Sequence, residues 1–211
     1  MDAILERLQW MTAPKATILC VGLDGDAMKA LLQTRYPSVQ FLTEAEATPA
    51  SADWVIAHFA LPYLDDPLQA FWRWRAYLKS GGMLFCTHFG PDTLQEWRDV
   101  SQLIVPHRLD MHELGDLLVH AGFSDPVVDV DYYHTRHRVL ESYLQELKLT
   151  HMIKETAQPE DIANDKNEWM TTYEIVFAHA FSTDTFGAEQ DDNGSVVKIP
   201  VSKIGKITKE K

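Results

Sequence analysis

An open α/β sheet, with parallel strands joined by crossover helices, is the fold this sequence predicts, and three observations predict it. Short apolar runs rich in β-branched residues alternate with stretches whose apolar residues recur every three or four positions. Gly, Pro, Ser or Asp punctuates the junctions between them. The length, 211 residues with 45% hydrophobic and 24% charged residues, suits one globular domain that removes about 70% of its unfolded surface from water.

Along the chain, one helix near Asp2 to Met11 precedes the strand Thr17–Val21, which ends at Gly22. Asp26 to Arg35 carries Met28, Leu31 and Leu32 at helical spacing, so strand, tight turn and helix follow one another. Val39–Thr43 and Asp53–Ala57 read as the next two strands. From Asp66 to Lys79 the residues Leu68, Phe71, Trp74 and Leu78 mark a helix that Gly81-Gly82 stops before the strand Met83–Thr87. Asp110 and Glu113 form a capping-box pattern ahead of Leu114, Leu117 and Leu118, and Gly122 closes that helix. Val127–Tyr133 reads as a strand, Leu140, Leu144 and Leu147 mark a helix, and Thr171–Phe181 supplies a late strand. The expected organisation is one α/β domain over residues 1–183 and a polar tail over 184–211, acidic at first and then lysine-rich.

Composition excludes several classes of function. No apolar run approaches the ~18 residues of a membrane span, and the start lacks a basic-then-apolar leader, so a cytoplasmic protein without membrane contact is expected. A formal net charge of −12 opposes attraction to nucleic acid. Cys20 and Cys86 both lie in apolar strand-like runs and read as small buried hydrophobes, not a disulfide. The run His134-Thr-Arg-His137-Arg138 falls at a strand-to-helix junction without a cysteine or carboxylate set at ligand spacing, so no metal is expected there. Arg136 and Arg138 suit either a solvated basic turn or contact with an acidic partner. The six tryptophans mostly occupy amphipathic positions and are expected to pack in the core.

Specific words narrow the class. Phe59-Ala-Leu-Pro-Tyr-Leu-Asp-Asp-Pro67, Tyr77-Leu-Lys-Ser-Gly-Gly-Met-Leu-Phe85 and Thr87-His-Phe-Gly-Pro-Asp-Thr-Leu-Gln-Glu-Trp-Arg98 resemble the malonyl-carrier-protein O-methyltransferases of biotin synthesis, the BioC family. The likeness continues through Asp110–Asp116, Ala121–Pro126 and Thr172–Ala180, and so spans roughly residues 53 to 181. It implies the Rossmann-like sheet of class I S-adenosylmethionine (SAM) methyltransferases, and methyl transfer from SAM to the free carboxyl of a malonyl thioester. An acyl carrier protein bearing that thioester is the implied partner. On this resemblance Gly22, Asp24, Glu44, His58 and Ala60 would border the cofactor, His58 standing where relatives usually carry Asn. Tyr63, Phe89, Thr93 and Arg98 would lie on the acceptor side, Arg98 as a partner for a carboxylate or as a solvated helix residue.

Departures from the family pattern fall in the first half. Relatives usually read Leu-Asp-Val-Gly-Cys-Gly-Thr-Gly after the first strand, and this chain reads Leu19-Cys-Val-Gly-Leu-Asp-Gly-Asp26. Only Gly22 keeps its register. An aspartate ~4 Å from the cofactor's carboxylate costs about 4 kcal/mol at an effective dielectric of 20; alternatively Asp24 or Asp26 caps the following helix. The acid for the ribose hydroxyls falls near Ala45, between Glu44 and Glu46, and only Glu46 to Ala52 separates it from the next strand. A parallel crossover usually needs ~10 residues, so the family's third strand is missing, as is its longer N-terminal lid. Two readings follow: a BioC-like methyltransferase that uses SAM, or a non-catalytic methyltransferase-like protein without SAM that acts through a protein partner. In the second, the bare sheet edge would be covered by another subunit in a homo- or hetero-oligomer.

Overall fold

A computed structural model describes residues 2–22, 25–97, 108–154, 156–158, 162 and 168–183. Its strands are β1 (Thr17–Gly22), β2 (Gln40–Leu42), β3 (Ala52–His58), β4 (Leu78–Phe89), β5 (Phe123–His137) and β6 (Trp169–Ser182), and its helices α1 (Asp2–Leu8), α2 (Gly25–Arg35), α3 (Pro67–Tyr77), α4 (Met111–His120) and α5 (Leu140–Leu149). The strands form one sheet in the order β2-β1-β3-β4-β6-β5. β2, β1, β3 and β4 pair in parallel, whereas β6 runs antiparallel to both β4 and β5. The sheet is therefore mixed, not wholly parallel as the alternation of strands and helices suggested.

Side chains alternate across the sheet and make two apolar layers. Ile18, Trp54, Ile56, Met83 and Phe85 face α1, α2 and α5 through Ile4, Leu8, Met28, Leu32 and Leu147. Their sequence neighbours Leu19, Val55, Ala57, Leu84 and Cys86 face α3 and α4 through Phe71, Trp74, Leu114 and Leu118. Each such side chain, fully withdrawn from water, contributes about 1.5 to 3 kcal/mol. Both cysteines are free thiols, and burial pushes the Cys86 thiol up to about 12, leaving it an inert core group at neutral pH. Trp54, Trp74 and Trp97 pack inside, but Trp10 and Trp72 stand exposed, against the expectation for the tryptophans as a group.

Local signals act where the sequence placed them, with one instructive exception. The Asp66 carboxylate accepts from the Gln69 amide at 3.0 Å and Pro67 opens α3. Asp110 and Glu113 make a reciprocal capping box on α4, and Gly122 follows the helix at φ +84°. The pair Gly81-Gly82, however, lies inside β4, since α3 ends at Tyr77 and Leu78 already belongs to the strand. A Cβ on Gly82 would sit 2.8 Å from the Lys79 carbonyl oxygen and 3.0 Å from that of Asp53. The glycines thus serve a register shift between β3 and β4 and do not terminate the helix.

The link from β2 to β3, residues 43–51, contains turns but no helix or strand. β2 is consequently the sheet's edge, and a third strand beyond it is absent among the described residues. Among those residues no helix is long and apolar enough to cross a membrane. β6 ends at Ser182, and the tail expected over 184–211 lies outside the described residues.

Asp53 ties the lower ends of three strands. Its carboxylate accepts from the Ala16 and Thr17 amides at 2.6 and 2.8 Å and from Lys79 Nζ at 2.8 Å. Burial alone would raise its pKa, but these donors together outweigh that and hold it below the ordinary carboxylate value. A lowered folded-state pKa gives stability that is present above the unfolded value and lost as pH falls through the folded one. Asp53→Asn should therefore destabilise the fold at neutral pH by about 1 to 3 kcal/mol and flatten the acid limb of stability against pH, as read by urea unfolding across that range.

Candidate functional site

The C-terminal ends of β1, β3 and β4 meet at one edge of the sheet. β1 finishes at Gly22 with φ +101°, where a Cβ would fall 2.1 Å from the His58 carbonyl oxygen and 2.9 Å from the Ala60 amide. Only glycine permits that approach. β3 finishes at His58, and Phe59 then takes a left-handed backbone with φ +45°, an uncommon state for a bulky residue. Thr87 holds it there: the Phe59 amide donates to both the carbonyl oxygen and the hydroxyl of Thr87, each at 3.2 Å. The same hydroxyl lies 2.9 Å from His58 Nδ1. Phe59 then stacks on Phe89 with ring centroids 4.2 Å apart.

These residues form one wall of a cavity of about 300 Å³. His58, Phe59, Thr87 and Phe89 line it from β3 and β4, Tyr173, Ile175 and Phe177 from β6, and Tyr133 from β5. Ala3 and Ile4 of α1 and Thr150 after α5 complete the lining. Tyr173, Ile175 and Phe177 alternate along β6 and so share one face. The lining is mostly apolar, and its hydroxyls are held by the protein. Tyr173 donates to Glu146 Oε1 at 2.8 Å, Tyr133 to Asp131 at 3.2 Å, and Thr150 to the Glu146 carbonyl at 3.0 Å. Glu146 also accepts from the Thr135 hydroxyl and lies 2.7 Å from His137 Nε2, which fixes α5 against β5 and β6. Burial and the neighbouring Glu146 push the Tyr173 phenol well above its ordinary value.

α1 lies across this chamber. The Arg7 guanidinium sits 3.6 Å above the Phe177 ring, donates from Nε to Asp129 at 2.9 Å and reaches Asp131 at 3.0 Å. Ile4 and Leu8 are buried beneath the helix.

The structure joins some of the expected site residues and separates others. Gly22, His58 and Ala60 meet at the strand ends, and Phe89 shares the cavity wall with His58. Glu44 lies on the turn after β2, ion-paired with Arg73 of α3 at 3.2 Å. Its neighbour Glu46 accepts from both the amide and the hydroxyl of Thr43 at 2.9 Å. Thr93 is outside the cavity lining: its hydroxyl donates to the Glu174 carbonyl and accepts from the Glu174 amide, so it pins the turn after β4 to β6. Tyr63 closes a short 3₁₀ turn, Leu61–Tyr63, and its side chain, like all of Asp24 and Arg98, lies outside the described residues. His134 and His137 lie at the end of β5, three residues before α5 begins at Leu140, so the run does sit at a strand-to-helix junction, and Arg136 and Arg138 both reach Glu168.

No family model matches the chain. Curated relatives are malonyl-[acyl-carrier protein] O-methyltransferases. That of Nitrosospira multiformis is 30% identical over 148 residues, covering 60% of this chain and 48% of the relative. That of Methylovorus sp. strain MP688 is 32% identical over 154 residues, covering 63% and 52%. The Coxiella burnetii protein numbered 1 is 25% identical over 246 aligned positions, covering 96% and 86%. The chain thus spans about half the length of the first two relatives. Among solved structures, a candidate methyltransferase of Bacillus halodurans C-125 superposes with a TM-score of 0.52 at 13% identity, covering 86% of this chain and 98% of that one. The YcgJ protein of Bacillus subtilis superposes at 0.50 with 11% identity, covering 86% and 97%. These likenesses in structure establish the fold.

Replacing Arg7 by Ala removes both the ion pairs and the ring contact that hold α1 down. The opening free energy of residues 2–8 should fall by about 1 to 2 kcal/mol, seen as faster amide exchange there while β3 and β4 keep their protection.

Proposed function

We propose that this chain, which is similar to the malonyl-[acyl-carrier protein] O-methyltransferases and has the Rossmann-like class I fold, methylates the free carboxyl of a malonyl thioester with SAM as donor. The thioester would be carried by an acyl carrier protein, and the ester would serve the early steps of biotin synthesis, as the resemblance implies. The observation that carries this reading is the mostly apolar pocket at the ends of β3 and β4 and on β6, beside the Gly22 turn.

The residues at the neighbouring strand ends suit the cofactor. Gly22 turns the chain with a backbone that no side chain crowds, His58 to Ala60 border it from β3, and Glu44 with Glu46 supplies carboxylates at the end of β2 for a ribose diol. SAM, when bound, supplies an electrophilic methyl group on a sulfonium. This chain's own part is to orient the acceptor. A malonyl carboxylate is already ionised near neutral pH, so no side chain has to remove a proton from it. Phe59, Phe89, Ile175 and Phe177 would border the acceptor with apolar surface, where each electrostatic contact made to it is stronger than in water. Ile4 of α1 covers the chamber, and Arg7 keeps the helix in place.

Calorimetric titration with SAM and with S-adenosylhomocysteine tests the reading. Saturable binding of both at roughly micromolar affinity, about −8 kcal/mol, is expected. Absence of saturation up to the millimolar range would overturn it in favour of a non-catalytic relative. Separately, Gly22→Ala should abolish that binding and cost about 2 kcal/mol or more of stability, because the added Cβ meets the His58 carbonyl at a positive φ.

A further inference from the structure

The chamber is longer and more apolar than a malonyl group requires. Its lining runs from His58 on β3 through Phe89 on β4 and Ile175 on β6 to Tyr133 on β5, and these four strands are neighbours in that order. With about 4.8 Å between neighbouring strands, the trough extends roughly 14 Å across the sheet. Its volume of about 300 Å³ corresponds to roughly ten water-sized groups. Malonyl fills little of this, because a single methylene separates its two carbonyl carbons.

The lining also says what kind of group suits the remaining length. Phe59, Phe89, Ile175 and Phe177 make the sheet side of the trough apolar, and Ile4 of α1 adds to it. The hydroxyls at the far end already donate to the protein, Tyr133 to Asp131, Tyr173 to Glu146 and Thr150 to the Glu146 carbonyl. A prosthetic arm laid along this wall would leave its amides short of partners, which is costly in apolar surroundings. A polymethylene chain has no such need and gains with each methylene it withdraws from water.

We infer that the preferred acceptors are thioesters of longer α,ω-dicarboxylic acids, whose polymethylene chain lies along Phe89, Ile175 and Phe177 with the free carboxyl at the β3 end, beside the Gly22 turn. The inference rests on the methyltransferase reading and widens its substrate class beyond malonyl. Tyr133, 43% exposed, marks the open end, where the thioester and its arm leave the trough. The reaction keeps its kind. A carboxylate oxygen bonds to the methyl carbon of SAM as the methyl–sulfur bond breaks, the electron pair stays on sulfur in S-adenosylhomocysteine, and no proton moves.

The test compares malonyl-, glutaryl- and adipyl-pantetheine on the full chain, by calorimetric binding without SAM and by transfer of labelled methyl from SAM. Each methylene withdrawn from water should tighten binding about fourfold. Adipyl-pantetheine should therefore bind at least about tenfold more tightly than malonyl-pantetheine, with kcat/KM rising in the same order. Ile175→Thr, which puts a hydroxyl into the wall, should reduce that gain, and malonyl-N-acetylcysteamine, which lacks most of the arm, should bind as malonyl-pantetheine does. Binding that stays flat or weakens with acyl length, a gain undiminished in Ile175→Thr, or a loss of about tenfold on shortening the arm would each overturn the inference. The first and last of these use the unaltered chain and stand whether or not the variant folds. Labelled ester from malonyl alone overturns the inference and leaves the methyltransferase reading in place. A gain in binding with acyl length but no labelled ester from any member overturns the methyltransferase reading, while the preference of the wall for a polymethylene chain remains.

Discussion

At Gly22 the backbone turns at φ +101° directly against the His58 carbonyl, with no room for a side chain between them. That contact brings the end of β1 onto the end of β3, and Thr87 of β4 locks the next residue, Phe59, into its left-handed state from the other side. Three strand ends are thereby fixed to one another within hydrogen-bond distances. The direction of the Phe59 ring follows, and with it the stack on Phe89 and the wall of the chamber. An uncommon backbone state of this kind persists only where its surroundings over-determine it, and here three strands do so.

The sheet divides into two halves with different duties. β1, β2 and β3 carry the Gly22 turn and, after β2, Glu44 paired with Arg73, on a short edge beyond which no strand lies among the described residues. β4, β5 and β6 supply the apolar chamber, built on the long antiparallel pairing of the last two. α1 and α5 close the chamber from the same side of the sheet, each held by one polar hub: Arg7 with Asp129 and Asp131, and Glu146 with Thr135, His137 and Tyr173. The absence of a strand beyond β2 among the described residues does not touch the pocket, because no residue of β2 lines it.

Local patterns in the sequence were enough for the element order, the capping box of α4 and the absence of a strand between β2 and β3. They misjudged lengths where tertiary context overrides punctuation. The sequence places this strand at Val127–Tyr133, yet β5 runs from Phe123 to His137 through Pro126, because an outer strand tolerates a proline without an amide donor and a register shift absorbs the irregularity. Gly81-Gly82 reads as a helix stop and is a strand irregularity for the same reason. The family-like words contain His58 and Phe89, which line the pocket, but nothing local joins Ile4 of α1 to Tyr133 and Tyr173, more than a hundred residues away. The alternation Tyr173, Ile175, Phe177 was the available signal for the far wall, though it does not say which face is inward. Thr93 had no such signal, since its role is a backbone pin that only the fold creates.

Transfer of an isotopically labelled methyl group from SAM to a malonylated acyl carrier protein tests the central claim most directly. The chamber and its neighbouring turn predict label on the malonyl carboxyl, released by mild ester hydrolysis and absent when the carrier bears an acyl chain without the free carboxyl. A carrier that remains malonylated and unlabelled, with SAM and folded protein both present throughout, would contradict it.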